Sequence, residues 1–381
     1  MIFDYFDPVD VDDLTGPFPW TRNHLGHRTK FNGRDEIDLD GIEVAVLGVT
    51  EDRGSLHNPA CGDMTGAIRS AFYRLYDHFP HSPGLVDLGN IRTGSTLKDS
   101  QAALSYVLQE LTGRGVISIV LGAGHDLTYG QYGCYELAKP RVNLVVVDER
   151  IDVEMTDEVH SESHLYHILT REPNYLFGFT HLGHQAFYTD PKWLDTIDTL
   201  GFEAIRLGDM KGRLAEVEPA IRDADMMSID ISALRGGVAP ANAQTSPNGL
   251  TGEEICQLCR YAGYSNSLST LGIYELNGHF EQNHQTARLV SQMMWYMLEG
   301  ITNRTPDQPT ADSDEHLRYH VHLESTDHEL VFIKSERSGR WWMEIMEDEA
   351  PVYIACSAAD YQRALREEIP DRWMQAYKLL S

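Results

Sequence analysis

The stretch Val145-Val-Val-Asp148-Glu-Arg150-Ile-Asp152 decides the fold. Its three β-branched residues read as a buried strand, and the chain then delivers two carboxylates four positions apart at that strand's end. In parallel α/β sheets the ligand crevice lies outside the carboxyl ends of the strands, so Asp148 and Asp152 stand where chemistry is usually done. Two other strand ends repeat the design, one preceding His125 and one carrying Asp230, and a later strand ends in Glu275.

Outward from this point, strands and helices alternate. Residues 43–49 read as a strand, followed by a long loop to Asp63 and a helix over about 64–78. Leu85-Val-Asp-Leu-Gly is a short strand and turn, and 98–114 has helical periodicity, with Leu104, Val107, Leu108 and Leu111 on one face. A strand over 116–121, a helix to about Leu137 and the strand 143–147 come next. Then follow a helix ending near Arg171, strands over 175–180, 204–207 and 225–231, and a Gly/Pro/Asn-rich loop over 235–249. Thr251 with Glu254 makes a capping box that starts a helix, 269–276 is the last core strand, and a long helix covers about 285–298. The pattern predicts a three-layer α/β/α domain with a mainly parallel sheet over 41–301. Residues 1–40, with Pro8, Pro17 and Pro19, read as an irregular arm on its surface, and the polar 302–315 as a linker. In 316–381, short alternating strands at 320–323, 330–334, 341–345 and 352–356 precede a terminal helix near Ser357, a small β-rich extension expected to pack on the main domain.

Composition narrows the function. A formal charge of −27 over 381 residues argues against nucleic-acid or anionic-membrane partners, which are bound through clustered Lys and Arg. No apolar run of about 18 residues is present, and the acidic start lacks the basic and apolar regions of a signal peptide, so a cytoplasmic location is expected. Five cysteines, an odd number, fit a reducing compartment. Cys256 and Cys259 form a C-x-x-C inside the capped helix, but no two further zinc ligands lie near them.

His125, Asp148, Asp152, Asp230 and Glu275 gather one imidazole with carboxylates at successive strand ends, a donor set suited to a divalent ion such as Mn²⁺. Singly, each has a plainer reading: a histidine after a strand as a hydrogen-bonded turn residue, an aspartate at a strand end as a helix cap. Their joint appearance is what points to a metal. Gly122-Ala-Gly124 superficially imitates a dinucleotide turn, but Leu127 stands where the third glycine belongs. The sequence has neither a P-loop nor a G-x-S-x-G elbow.

These segments resemble the ureohydrolases (arginase, agmatinase, formimidoylglutamase). Gly122-Ala-Gly-His125-Asp126 resembles their Gly-Gly-Asp-His-Ser, and Asp148-Glu-Arg150-Ile-Asp152 their Asp-Ala-His-x-Asp. Ser228-Ile-Asp230-Ile-Ser232, followed by a loop ending Gly249-Leu-Thr251, resembles Ser-x-Asp-x-Asp and its Gly-Leu-Thr. Glu275-Leu-Asn277 and Gln285-Thr-Ala-Arg-Leu complete the match, over roughly 43–300. The resemblance implies two Mn²⁺ ions that share two aspartates and hold a hydroxide for attack on a guanidinium or amidine carbon. His125, Asp148, Asp152 and Asp230 would be the whole protein shell of one metal, with Asp148 and Asp230 as the bridging pair. His164 would shuttle protons, with His160 and His167 as nearby alternatives; Glu275 would face the cationic amidine, and the 52–63 loop would wall the pocket.

The two ligands private to the second metal are changed, to Arg150 and Ser232. Arginine does not release its proton to become a ligand, and a serine hydroxyl is a poor substitute for carboxylate. One Mn²⁺ ion is therefore expected ahead of two, with the Arg150 guanidinium near the vacant site as replacement charge. The alternative is a metal-free cluster in which Arg150 pairs directly with Asp148 and Asp230. The expected function is hydrolysis of a linear amidine or guanidino compound, formimidoylglutamate-type first, by a homo-oligomer. The competing expectation is a non-catalytic protein of the same fold, acting as regulator, scaffold or small-ligand binder.

Overall fold

A computed structural model describes residues 2–136, 141–310, 315–324, 328–347 and 350–380. The period-2 alternation of its apolar strands is decisive: Val44 and Val46, Ile119 and Leu121, and Val145 and Val147 join one apolar layer. Ala45 and Leu47, Val120, and Leu144 and Val146 join another. Each face needs a cover, and helices supply both. Thr65–Phe72, Gly252–Tyr264 and Gln285–Thr302 pack on the first layer, while Leu97–Thr112, Leu127–Gly133 and His164–Leu169 pack on the second.

The sheet between them has ten strands among the described residues. They are β1 (Phe6–Asp7), β2 (Lys30–Phe31), β3 (Val44–Val49), β4 (Leu85–Ile91), β5 (Ile117–Gly122), β6 (Val142–Val147), β7 (Leu176–His184), β8 (Glu203–Arg206), β9 (Met226–Asp230) and β10 (Thr270–Tyr274). Their spatial order is β1-β4-β3-β5-β10-β9-β6-β7-β8, with β2 also on β4, and every pairing is parallel except β1 with β4. The expected three-layer α/β/α architecture with a mainly parallel sheet is present.

Several local expectations change. The amino-terminal arm does more than lie on the surface: β1 and β2 both add to β4, and Phe6 and Phe31 are buried. Gly89 makes the β1 contact possible, because at its φ of +93° a Cβ would stand 2.3 Å from the Asp7 carbonyl. The helix over 64–78 stops at Phe72 because the following backbone pairs with the arm, Leu25 N–H to Leu75 O at 2.9 Å and Gly26 N–H to Tyr73 O at 3.0 Å. A helix at Pro191–Thr199, capped by Asp190, was not expected. The helix expected to reach Leu137 is described to Gly133, and Leu137 lies outside the described residues. Cys256 and Cys259 are buried in the core, where they act as apolar side chains.

The carboxy-terminal region forms a second, antiparallel sheet of β11 (His316–Leu323), β12 (His328–Ser335), β13 (Trp341–Glu347) and β14 (Ala350–Cys356), in that order. Two helices follow it instead of one, Ala358–Ala364 and Asp371–Leu380. It packs on the main sheet's flank through Arg222, which donates to the Trp341 and Cys356 carbonyls, and Asp223, which accepts from Ala355 N–H at 2.7 Å. Part of the segment read as a linker is also tied down: buried Asp307 accepts from Ser338 Oγ and pairs with Arg340, while 311–314 lie outside the described residues. Among the described residues no helix is long and apolar enough to cross a membrane.

Candidate metal centre and active site

The residues singled out in the sequence come from four strands that are adjacent in the sheet, β5, β10, β9 and β6. Because all four run parallel, their carboxyl ends open on one edge. There His125 follows β5, Glu275 follows β10, Asp230 closes β9, and Asp148 follows β6 with Asp152 four residues on.

His125 is fully buried at the centre. Its Nδ1 lies 3.2 Å from Asp148 Oδ2, 3.2 Å from Asp152 Oδ2 and 3.5 Å from Asp230 Oδ2. Its Nε2 is 3.0 Å from Ser228 Oγ, which is 2.6 Å from Thr128 Oγ1. With Nε2–H donated to that hydroxyl, loss of the proton from Nδ1 would leave its lone pair facing the carboxylates, the tautomer a metal ligand needs. Burial opposes charge on His125, yet the hydrogen bonds its Nδ1–H donates to Asp148 and Asp152, and the charge of Asp230, hold its pKa well above the ordinary histidine value. Burial, and then the Asp148 charge, push Asp152 and Asp230 well above the usual carboxylate range. Asp148 is held low despite its burial, by the His125 hydrogen bond and charge. Protons on this cluster thus offset charge that a divalent cation would offset better, and one imidazole nitrogen with three convergent oxygens is a donor set that fits such an ion.

The opposite oxygens meet hydrogen-bond donors. Asp148 Oδ1 accepts from Arg150 N–H at 3.1 Å and Ser232 Oγ at 3.2 Å, and Asp230 Oδ1 accepts from Ser232 N–H at 2.6 Å. The Arg150 guanidinium does not turn into this space. It stacks over the Tyr188 ring, Cζ 4.3 Å from the centroid, and its ion pair is with Glu149 at 3.6 Å. Among the described residues Arg150 makes no ion pair with Asp148 or Asp230; Tyr188 and the buried Glu149 carboxylate hold its side chain, which still lines the same pocket as the two aspartates.

Glu275 is strained into place at φ +63°, a region costly for a side chain with Cβ. Its Oε1 accepts from His125 N–H at 2.8 Å, and its Oε2 accepts from Ser55 Oγ and Asn58 Nδ2, each at 2.9 Å. Asn58 also accepts from Ala243 N–H and Asn277 Nδ2, fastening the 52–63 loop to two others. That loop walls the pocket as expected, through Ser55, His57 and Asn58.

His164, expected to shuttle protons, lies beside His125. It is buried, its ring centroid 4.3 Å from that of His125, with Nδ1 2.9 Å from the Ser161 carbonyl and 3.7 Å from Asp152 Oδ2. Burial, reinforced by the His125 charge, drives its pKa well below the ordinary value. With His125 and Asp152 it forms a second group of donors close enough to hold an ion. Neither His160 nor His167 lines the pocket; the histidine that does is His57, more than half exposed and 3.2 Å from Glu162. Ser161, Asn242 and Gln244 complete the walls. Nothing in the sequence marks these loop residues, since their side chains meet only in the folded chain.

Residues 42–299 match the family model described as the arginase family. The chain belongs to the arginase family. A formimidoylglutamase of Ralstonia nicotianae is 26% identical over 278 residues, covering 68% of this chain and 85% of that protein. One from Lysinibacillus sphaericus is 23% identical over 308 residues, covering 76% and 94%. The fold is that of Trypanosoma cruzi formiminoglutamase, whose crystal structure contains Mn²⁺, with a TM-score of 0.64 at 20% identity over 70% of this chain and 96% of that one. Bacillus subtilis formimidoylglutamase superposes with a TM-score of 0.68 at 17% identity over 77% and 96%.

Proposed function

We propose that this family member is a one-metal hydrolase that cleaves a C–N bond in a linear amidine or guanidino compound, with formimidoylglutamate-type substrates first. The observation that carries the reading is the asymmetry of the aspartates. Their Oδ2 atoms converge with His125 Nδ1, whereas Asp148 Oδ1 and Asp230 Oδ1 accept hydrogen bonds from Arg150 and Ser232. His125, Asp148, Asp152 and Asp230 would hold one Mn²⁺; among the described residues the other group of donors close enough to hold an ion, His125, Asp152 and His164, shares two of these ligands.

A bound divalent ion supplies Lewis acidity, which makes water a stronger nucleophile near neutral pH. The chain's own residues do the rest. Glu275 has lone-pair capacity beyond the three hydrogen bonds it accepts, and faces the pocket where a cationic amidine would lie. Ser55, Asn58 and the His125 amide fix its orientation. His57, paired with Glu162 at the rim, is placed to pass a proton between the leaving amine and solvent. The balance is R–NH–CH=NH plus water giving R–NH₂ plus formamide.

The test is release of formamide from N-formimidoyl-L-glutamate, and of urea from guanidino compounds, by the Mn²⁺-loaded protein. Turnover should fall by about a hundredfold or more in Glu275→Gln. No release from any amidine by folded, metal-loaded protein would contradict the reading. It would favour the second one, a non-catalytic small-ligand binder or regulator, which the altered Arg150 and Ser232 positions support. Residues 41–301 would form the catalytic unit, with 1–40 as an arm, 302–315 as a connection and 316–381 as an extension, in a cytoplasmic homo-oligomer.

A further inference from the structure

Arg150 occupies a position that the family resemblance gives to a metal ligand, and its geometry suits another task. The main chain is fixed on both sides, N–H to Asp148 Oδ1 at 3.1 Å and carbonyl to His181 Nε2 at 2.7 Å. The side chain leaves from there over Tyr188, Cζ 4.3 Å from the ring centroid, so the guanidinium is clamped without using its donors. Nε is buried with no hydrogen-bond partner, its closest carboxylate oxygen, on Glu149, being 3.6 Å away, and no guanidinium hydrogen bond is formed among the described residues. The side chain is 35% exposed, and Arg150 lines the same pocket as Asp148, Asp230, Ser232 and Glu275.

A planar cation with unused donors, held rigid at the wall of a pocket floored by carboxylates, is selective for one kind of group. Guanidinium donors match a carboxylate with two parallel hydrogen bonds, and pre-positioning lowers the ordering cost of making them. We infer that Arg150 is the carboxylate anchor of this pocket, the residue that would hold the acidic end of the substrate. This deepens the proposed reaction and rests on it for the amidine end; the acidic end is tested separately. The substrate would lie between two opposite charges, its amidine toward Glu275 and its carboxylate toward Arg150.

Binding of glutarate to the Mn²⁺-loaded protein, measured by titration calorimetry, tests this without turnover. Arg150→Gln should weaken glutarate binding by about tenfold or more, while metal content and thermal melting stay as in the wild type. Arg150→Lys, which keeps the charge but loses the fork, should fall between the two. Where turnover is seen, Arg150→Gln should raise KM for an acidic amidine with kcat little changed, and have a much smaller effect on KM for N-propylformamidine, which carries the cationic amidine but no carboxylate. Equal glutarate affinity in wild type and both variants, or no glutarate binding by the wild type, would overturn the assignment whatever the amidine assays show. Absence of amidine turnover with glutarate binding lost in Arg150→Gln would instead overturn the reaction and leave the anchor standing.

Discussion

Arg150 and Ser232 set this chain apart from the two-metal pattern it resembles, and each does so at a nameable atom. Ser232 donates Oγ to Asp148 Oδ1, and Arg150 sends its guanidinium to Tyr188. Restoring both donors should restore the site: Arg150→His with Ser232→Asp is expected to bind a second Mn²⁺ equivalent, and either single change is not, which elemental analysis decides. His181 offers a different test. It is buried beside Asp148 with Nε2 to the Arg150 carbonyl, and burial pushes its pKa down to about 4. Its folded value lies below the unfolded one of about 6.5, so the unfolded chain takes up the proton first as pH falls. The His181 contribution to stability is therefore present above about pH 6.5 and lost progressively toward pH 4, by about 3 kcal/mol in all. A nearby metal ion would disfavour the charged imidazole further and leave the sign unchanged. Urea unfolding from pH 7 to pH 4 should show a shallower loss in His181→Asn than in the wild type; an equal loss would assign the acid sensitivity to other groups. The residues proposed as metal ligands were brought together as read, because each stands at or after a strand end in a recognisable motif. His57, Asn58 and the true orientation of Arg150 were not legible in the sequence, because loop closure and the Tyr188 ring decide them.

At the scale of elements, the alternating strands and the 3.6-residue helices were readable because every one has an apolar face to bury. The Thr251 capping box forms as read, with the Glu254 side chain returning to the Thr251 N–H at 2.7 Å. What escaped is pairing between segments distant in sequence. Neither two-residue strand of the arm has a pattern long enough to show, and the helix that stops at Phe72 does so for a partner some fifty residues earlier. One such link is energetically prominent. Arg69 on the Thr65–Phe72 helix and Asp87 on β4 are both fully buried, with Nε to Oδ2 at 2.8 Å, and Tyr73 Oη adds a donor to the same oxygen at 2.5 Å. Arg69→Ala would strand the Asp87 charge in the core and should cost about 3–5 kcal/mol, seen as a lower midpoint in chemical denaturation. A change under 1 kcal/mol would mean that water or a neighbouring group compensates.

Over the whole molecule, four neighbouring parallel strands collect His125, Asp148, Asp152, Asp230 and Glu275 at one edge, although 150 residues separate the first from the last. The second sheet docks on the flank through Arg222 and Asp223, away from that edge's pocket walls. An acidic chain of net charge −27 has no difficulty attracting cations, so specificity for one ion must come from the donor set and not from the surface. The most direct measurement is the Mn²⁺ content per chain after purification with added metal, with Asp230→Ala in parallel. The account predicts one equivalent in the wild type and loss of it in the variant. Two equivalents, or none, would contradict it.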